Sequence, residues 1–209
     1  MSTKDPDSTK DPEPTGDTFV DWYNKFPSVE EASKVFTSEK QKELFQQIAD
    51  LLRQPDYQAY ALILVHRHFL LKAKEKMLTI SNVTSPQDTD YATRFPASAW
   101  SSDGCPWEWQ EGASTSALPN GLVNAFKVIV GKDQAIANVL GLGLRPGPLK
   151  EDYMWYETTD KDLRTQTVVE KKLPIKDALA TCWIPYTDLT TMKVSMMCCA
   201  NCDHNSAKN

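Results

Sequence analysis

No run of lysine or arginine occurs in this chain; the nearest approach, Lys72, Lys74 and Lys76, is broken by Glu75. The formal net charge is −5. A phosphate-binding face needs concentrated positive charge, so nucleic acid is not an expected partner, and an anionic membrane surface is disfavoured on the same ground. The sequence also lacks the roughly 18 consecutive apolar residues of a membrane-spanning helix. Its most apolar window, Tyr60 to Val65, has the length of a strand. The first residues, MSTKDPDSTKDPEP, are polar and charged and cannot serve as the apolar core of a secretory signal. Cysteine is present in an odd number, five, with Cys198, Cys199 and Cys202 crowded at one end. That is not the pattern of a disulfide framework, and the expected location is the reducing cytoplasm. No regular strand–helix–strand alternation appears, which argues against a doubly wound parallel sheet. VLGLGL at 139–144 contains GLG but not the glycine spacing and helix of a dinucleotide site.

What is present divides into three stretches. Residues 1–17 repeat STKDP and hold no apolar residue between Met1 and Phe19. Such a segment cannot offset its ordering entropy by burial and is expected to be a disordered tail. Residues 18–186 have the composition of one globular domain. Residues 187–209 are expected to form a Met- and Cys-rich C-terminal tail. Within the domain, Ser28-Val29-Glu30-Glu31 and Ser38-Glu39-Lys40-Gln41 read as capping boxes opening helices near 28–36 and 39–54. Pro119 opens a third, near 119–130, with Gly131 behind it. AYALILVHRHFLL at 59–71 reads as a strand, paired in a hairpin with 77–84. Tyr153–Thr158 and Thr165–Val169 read as a second hairpin, and Thr181–Ile184 as a last strand. The expected fold class is α+β: a mostly antiparallel sheet, free to curl, with two N-terminal helices and one central helix packed against it.

LVHRHFLL at 64–71, Glu75-Lys76-Met77, WSSDGCPWEW at 100–109, VLGLGL at 139–144, CWIP at 182–185 and a Cys-rich end followed by a histidine form a recognisable series. Over residues 40–204 the chain resembles a family of small uncharacterised proteins of filamentous fungi. The resemblance implies an ascomycete origin and one compact domain, and supplies no reaction. Lys74 stands where members of that family often carry glycine, a departure that bears on the turn before Glu75.

His66 and His68 are two of only three histidines. On a strand, residues two apart share a face with side chains about 6–7 Å apart, close enough for both imidazoles to meet one ion or one substrate. With Ala73-Lys74 as the hairpin loop, Thr79 would face His68, Ser81 would face His66, and Glu75 would share that face. His66, His68 and Glu75 are therefore the candidate catalytic group. A structural role for both histidines, hydrogen-bonded within the fold, stays open. HxH followed by a glutamate is similar to the first metal motif of cupins, but Glu75 lies too far from His68 and no second motif follows.

Cys199-Ala-Asn-Cys202 is a CxxC, with His204 two residues on and Cys198 adjacent. Thiolates so spaced can share one Zn²⁺, and Met192, Met196 and Met197 would also suit Cu(I). Cys198, Cys199, Cys202 and His204 are the candidate metal set, with Zn or Cu as the implied ion. Cys198, Cys182 or a histidine of the sheet would complete it. The alternative is a run of thiols that happen to cluster. Cys105 and Cys182 are weaker candidates for a nucleophile and suit buried packing better. Six tryptophans lie across several expected strands and could line an apolar ligand cavity or simply pack the core. The expected partner is a small molecule. Two functions compete: a small-molecule enzyme of fungal specialised metabolism with a Trp- and His-lined cavity and metal assistance, or a non-catalytic ligand-binding or protein-interaction module.

Overall fold

The computed structural model describes residues 17–113, 118–160, 162, 164–171, 178–185 and 192–199. The tail expected over 1–17 lies outside them except for Asp17, which opens the first helix. Helices run over α1 (Asp17–Tyr23), α2 (Val29–Val35), α3 (Ser38–Leu52), α4 (Thr89–Ala92), α5 (Asn120–Val130) and α6 (Gln134–Ala137). Strands are β1 (Tyr60–Leu64), β2 (Glu75–Ile80), β3 (Val83–Asp88), β4 (Ala97–Ser101), β5 (Pro106–Gln110), β6 (Leu140–Leu144), β7 (Tyr153–Thr159), β8 (Thr165–Lys171), β9 (Ala178–Pro185) and β10 (Met192–Cys199). The strands close into a barrel in the order β1-β6-β4-β5-β2-β3-β8-β7-β10-β9. Only the pairs β2–β5 and β7–β10 are parallel. The mixed α and β composition and the mostly antiparallel pairing are as expected, and the curled sheet is a full closure, which leaves no edge strand.

The helices form where local chemistry dictates. At α2 the Ser28 hydroxyl accepts from the Glu31 N–H at 3.2 Å, and the Glu31 carboxylate accepts from the Ser28 N–H at 2.8 Å. The cap of α3 is Thr37, one residue before the serine that the sequence pattern favours. Leu44, Ile48, Leu51 and Leu52 of α3 and Leu122, Phe126 and Val130 of α5 are buried at helical spacing. α3 lies against β1, β9 and β10 on the outside of the barrel, and α5 packs on α3. Trp183 of β9 meets Phe36 edge-on at 5.3 Å between ring centroids, and Phe45 at 5.9 Å. Trp109 of β5 meets Phe19 of α1 at 5.7 Å. The Lys76 ammonium lies 4.1 Å from the Trp109 ring centroid and 4.7 Å from that of Phe19, so α1 is held by a cation between two rings.

The strand expected over 59–71 ends at Leu64. Beyond it the backbone leaves the sheet for the α1–α2 connection. The Arg67 N–H donates to the Pro27 carbonyl at 3.0 Å. The Arg67 guanidinium donates to the carbonyls of Phe26 and Asn24. Leu71 is held through both its N–H and its carbonyl by the Asn24 side chain, at 2.8 and 3.0 Å. The Val65 N–H still reaches the Val139 carbonyl beside β6 at 2.9 Å, whereas the backbone groups named at Arg67 and Leu71 are satisfied away from the ladder. The expected hairpin between 59–71 and 77–84 does not form. β1 pairs with β6 and β9, and β2 with β3 and β5. The second hairpin, β7 with β8, forms in antiparallel register from Tyr153↔Lys171 to Thr159↔Thr165. The Met- and Cys-rich segment placed in a tail supplies β10 instead, which inserts between β7 and β9.

Candidate functional site

Because strand side chains alternate, an apolar outer face leaves the opposite set pointing inward. The barrel holds a cavity of about 980 Å³. Ile63, Trp155 and Met196 give its wall apolar surface. Thr79, Glu108, Gln110, Arg145, Glu157, Thr181 and Lys193 give it polar groups, and His66 and His68 also line it. Of the tryptophans, Trp155 lines the cavity, while Trp107, Trp109 and Trp183 turn their rings outward onto aromatic partners: Tyr23 and Phe26 for Trp107, Phe19 for Trp109 and Phe36 for Trp183.

Glu108 comes from the Trp107-Glu108-Trp109 alternation of β5. Its carboxylate accepts from the Thr79 hydroxyl at 3.0 Å, and Thr79 in turn lies 2.7 Å from the Thr84 hydroxyl across the β2–β3 pair. No ion pair to Glu108 exists among the described residues. Burial raises its pKa, and the hydrogen bonds from Thr79 and Thr84 act in the opposite sense. A proton is therefore retained further toward neutrality than on an exposed glutamate. Buried Tyr23 lies in the same field: burial first, then the Glu108 charge, pushes its hydroxyl up, while the His68 backbone and Arg67 pull it down. On another part of the wall Thr181 donates to Glu157 at 3.3 Å. Burial, with the Glu157 charge adding to it, pushes the Cys182 thiol up, and Arg145 opposes. Cys182 is thus kept as a thiol rather than a nucleophilic thiolate.

His66 and His68 lie in the irregular segment after β1, so the period-two argument does not hold for them. The chain nevertheless brings their rings to 4.8 Å, nearly perpendicular at 69°. Cys198 of β10 joins them: the ring nitrogens and the Sγ lie within 4.8 Å of one another, and all three side chains are buried. His66 Nδ1 sits 2.8 Å from the Leu64 carbonyl oxygen. A carbonyl can only accept, so Nδ1 carries the proton and Nε2 the lone pair in the neutral ring. His68 Nδ1 lies 3.4 Å from the Thr159 hydroxyl, which is 2.9 Å from that of Thr165.

The two candidate sets are thus redistributed. Glu75 is not with the histidines; its carboxylate accepts from the Lys72 N–H at 2.7 Å, in the turn before β2 and opposite Asp88. Thr79 faces Thr84 and Glu108 rather than His68. Of the expected thiol set, Cys198 lies beside the histidine pair. The backbone of Cys199 pairs with Ala178, and Cys202 and His204 lie outside the described residues. Sequence reasoning missed Glu108, although a charge between two tryptophans on a strand was the signal for an inward carboxyl. No helix among the described residues is long and apolar enough to cross a membrane. Comparison with protein-family models, with curated proteins and with solved structures finds no match, which leaves the site's own chemistry as the ground for function.

Proposed function

We propose that this protein is a small-molecule enzyme whose reaction chamber is the barrel interior and whose proton-handling group is Glu108. The observation that carries the reading is a half-buried carboxyl, bonded to hydroxyls and, among the described residues, to no cation, on the wall of a cavity of about 980 Å³. That volume is at the upper end of the roughly 300–1,000 Å³ typical of ligand sites. A carboxyl whose pKa is raised by its surroundings holds its proton more tightly than an exposed one and can donate it to an oxygen that gains charge during reaction, and take it back afterwards. Thr79 and Thr84 orient the carboxyl. Trp155, Ile63 and Met196 would carry the apolar body of the substrate, and Arg145 offers a cation for an oxygen-bearing group. The resemblance to fungal proteins fits an accessory step of specialised metabolism.

A non-catalytic carrier is the second reading, favoured by the same hydroxyl–carboxyl chain, which could serve only to recognise a ligand. One experiment separates the two. The protein and Glu108→Gln are incubated with a mixed small-metabolite extract, and both the bound and free fractions are followed by mass spectrometry. An enzyme depletes a species and forms a new one, whereas Glu108→Gln retains the same species unchanged. Retention without conversion by both proteins would establish the carrier, and retention by neither would remove the chamber as a ligand site.

A further inference from the structure

Three donor atoms from two distant parts of the chain converge at the cavity wall, and we propose that they bind a metal: His66, His68 and Cys198 are the protein ligands of a single zinc ion. Its fourth coordination position opens into the barrel. The inference does not depend on the chamber being catalytic, because metal binding is measurable without a substrate.

Geometry comes first. The two ring nitrogens and the Sγ lie within 4.8 Å of one another. Two donors on one tetrahedral zinc, at about 2.1 Å for nitrogen and about 2.3 Å for sulfur, stand about 3.6 Å apart. The set therefore needs to draw in by roughly 1 Å, within the reach of small side-chain rotations, and no backbone has to move. The rings already stand nearly perpendicular at 69°, so their nitrogens can approach a common point from different directions.

Chemistry comes next. Two imidazoles and a thiolate are a borderline-soft set of the kind zinc takes, and three protein ligands with an open position are the arrangement of zinc sites that act on a substrate. The Leu64 carbonyl fixes the His66 proton on Nδ1 and so presents Nε2 as the ligating atom, the arrangement by which backbone carbonyls commonly orient metal-binding histidines. His66, His68 and Cys198 are 3%, 5% and 0% exposed. Polar side chains are costly to bury, and coordination to one cation offsets that cost for all three together. His66 and His68 line the cavity, which supplies both the entry path and the direction of the open position. The ion would polarise an oxygen of whatever the chamber holds.

The test uses the full chain, reduced and stripped of metal. Titration with Co²⁺ is expected to saturate at one equivalent, with a near-ultraviolet thiolate-to-cobalt charge-transfer band and the intense visible bands of four-coordinate cobalt. Zn²⁺ should displace it, and azide should shift the visible bands by taking the open position. Cys198→Ser should lose the charge-transfer band. His66→Ala and His68→Ala should each weaken zinc binding by more than the roughly 10–100-fold that loss of an outer hydrogen-bond partner costs such sites. A Cys202→Ser/His204→Ala variant should bind as the parent does. Because binding displaces the thiol proton, affinity should fall as pH falls. Absence of the charge-transfer band in the parent, its survival in Cys198→Ser, or its loss in Cys202→Ser/His204→Ala overturns the assignment, as does a site that takes Cu(I) and not zinc. Should Cys198→Ser fail to fold, the parent spectrum together with His68→Gln still decides.

Discussion

Burial of the Glu108 carboxyl makes one contribution to the pH dependence of stability run against the usual sense for a paired carboxylate. Its folded pKa lies above the ordinary value of 4.5, with burial as the cause. Over the window between the two values the native chain binds more protons than the unfolded one, so stability falls as pH rises. The slope is at most about 1.4 kcal/mol per pH unit, and the contribution is fully favourable only below the unfolded value. Glu108→Gln keeps an acceptor for Thr79 and removes the titration. The stability of that variant, followed by urea unfolding from pH 4 to 8, should lack this falling component; an unchanged slope would contradict the assignment of a retained proton. A second residue-scale effect concerns Lys74, whose φ is 63° in the turn that leads into β2. A side chain in the left-handed region costs about 1–2 kcal/mol, partly balanced by the larger entropy of a glycine in the unfolded state. Lys74→Gly should raise stability by about 0.5–1 kcal/mol, read as a higher urea midpoint at constant slope.

Among the elements, those whose signals are local were legible and those whose partners are remote were not. The capping box at Ser28–Glu31, the apolar stripe of α3 and the proline before α5 each act within one or two turns, and those helices stand close to where the sequence puts them. β7 and β8 are neighbours in the chain and pair as a hairpin. β1 was misread because LVHRHFLL continues its strand-like composition, while the hydrogen-bond partners of that segment, Asn24, Phe26 and Pro27, lie about 40 residues earlier. No local pattern records such a bond. The same distance hid the site: His66 and His68 could be singled out as a pair, but nothing near them in sequence points to Cys198 or to Glu108. At β6 the fit between elements is tight enough to test. A Cβ on Gly141 would stand 2.3 Å from the Trp100 carbonyl oxygen and 2.8 Å from Val65, so β4 and β6 can approach only because that position has no side chain. Gly141→Ala should cost about 1–3 kcal/mol, the usual range for overpacking, measurable as a lower urea midpoint. A stability equal to that of the parent would mean that β4 and β6 have room to separate.

For the whole molecule, closure is the property on which the cavity depends, and β10 is the strand that completes it. β10 pairs with β9 on one side and, in parallel, with β7 on the other. Its Met192 and Cys198 are buried, and Lys193 and Met196 line the cavity. Removing it would open the ring between β7 and β9. Two unpaired ladders would then face solvent, the state that favours edge-to-edge association. The polar inner wall would lose the boundary that makes it a chamber, and the helices on the outer face would pack on a sheet free to change its curvature. Strand loss on this scale is large against a total stability of about 5–15 kcal/mol for an ordinary domain. A chain ending at Pro185 is therefore expected not to fold cooperatively: urea unfolding should lose its sigmoidal transition, and size exclusion should show aggregates rather than a monomer of reduced size. A truncated chain that stays monomeric and keeps a cooperative transition would show that nine strands suffice. It would also mean that β10 is an appendage of the barrel and not its closing strand. Between those outcomes lies an informative rescue. A synthetic peptide of residues 186–199 added to the truncated chain should restore a cooperative transition if the groove between β7 and β9 is the specific seat of β10, and a scrambled peptide should not.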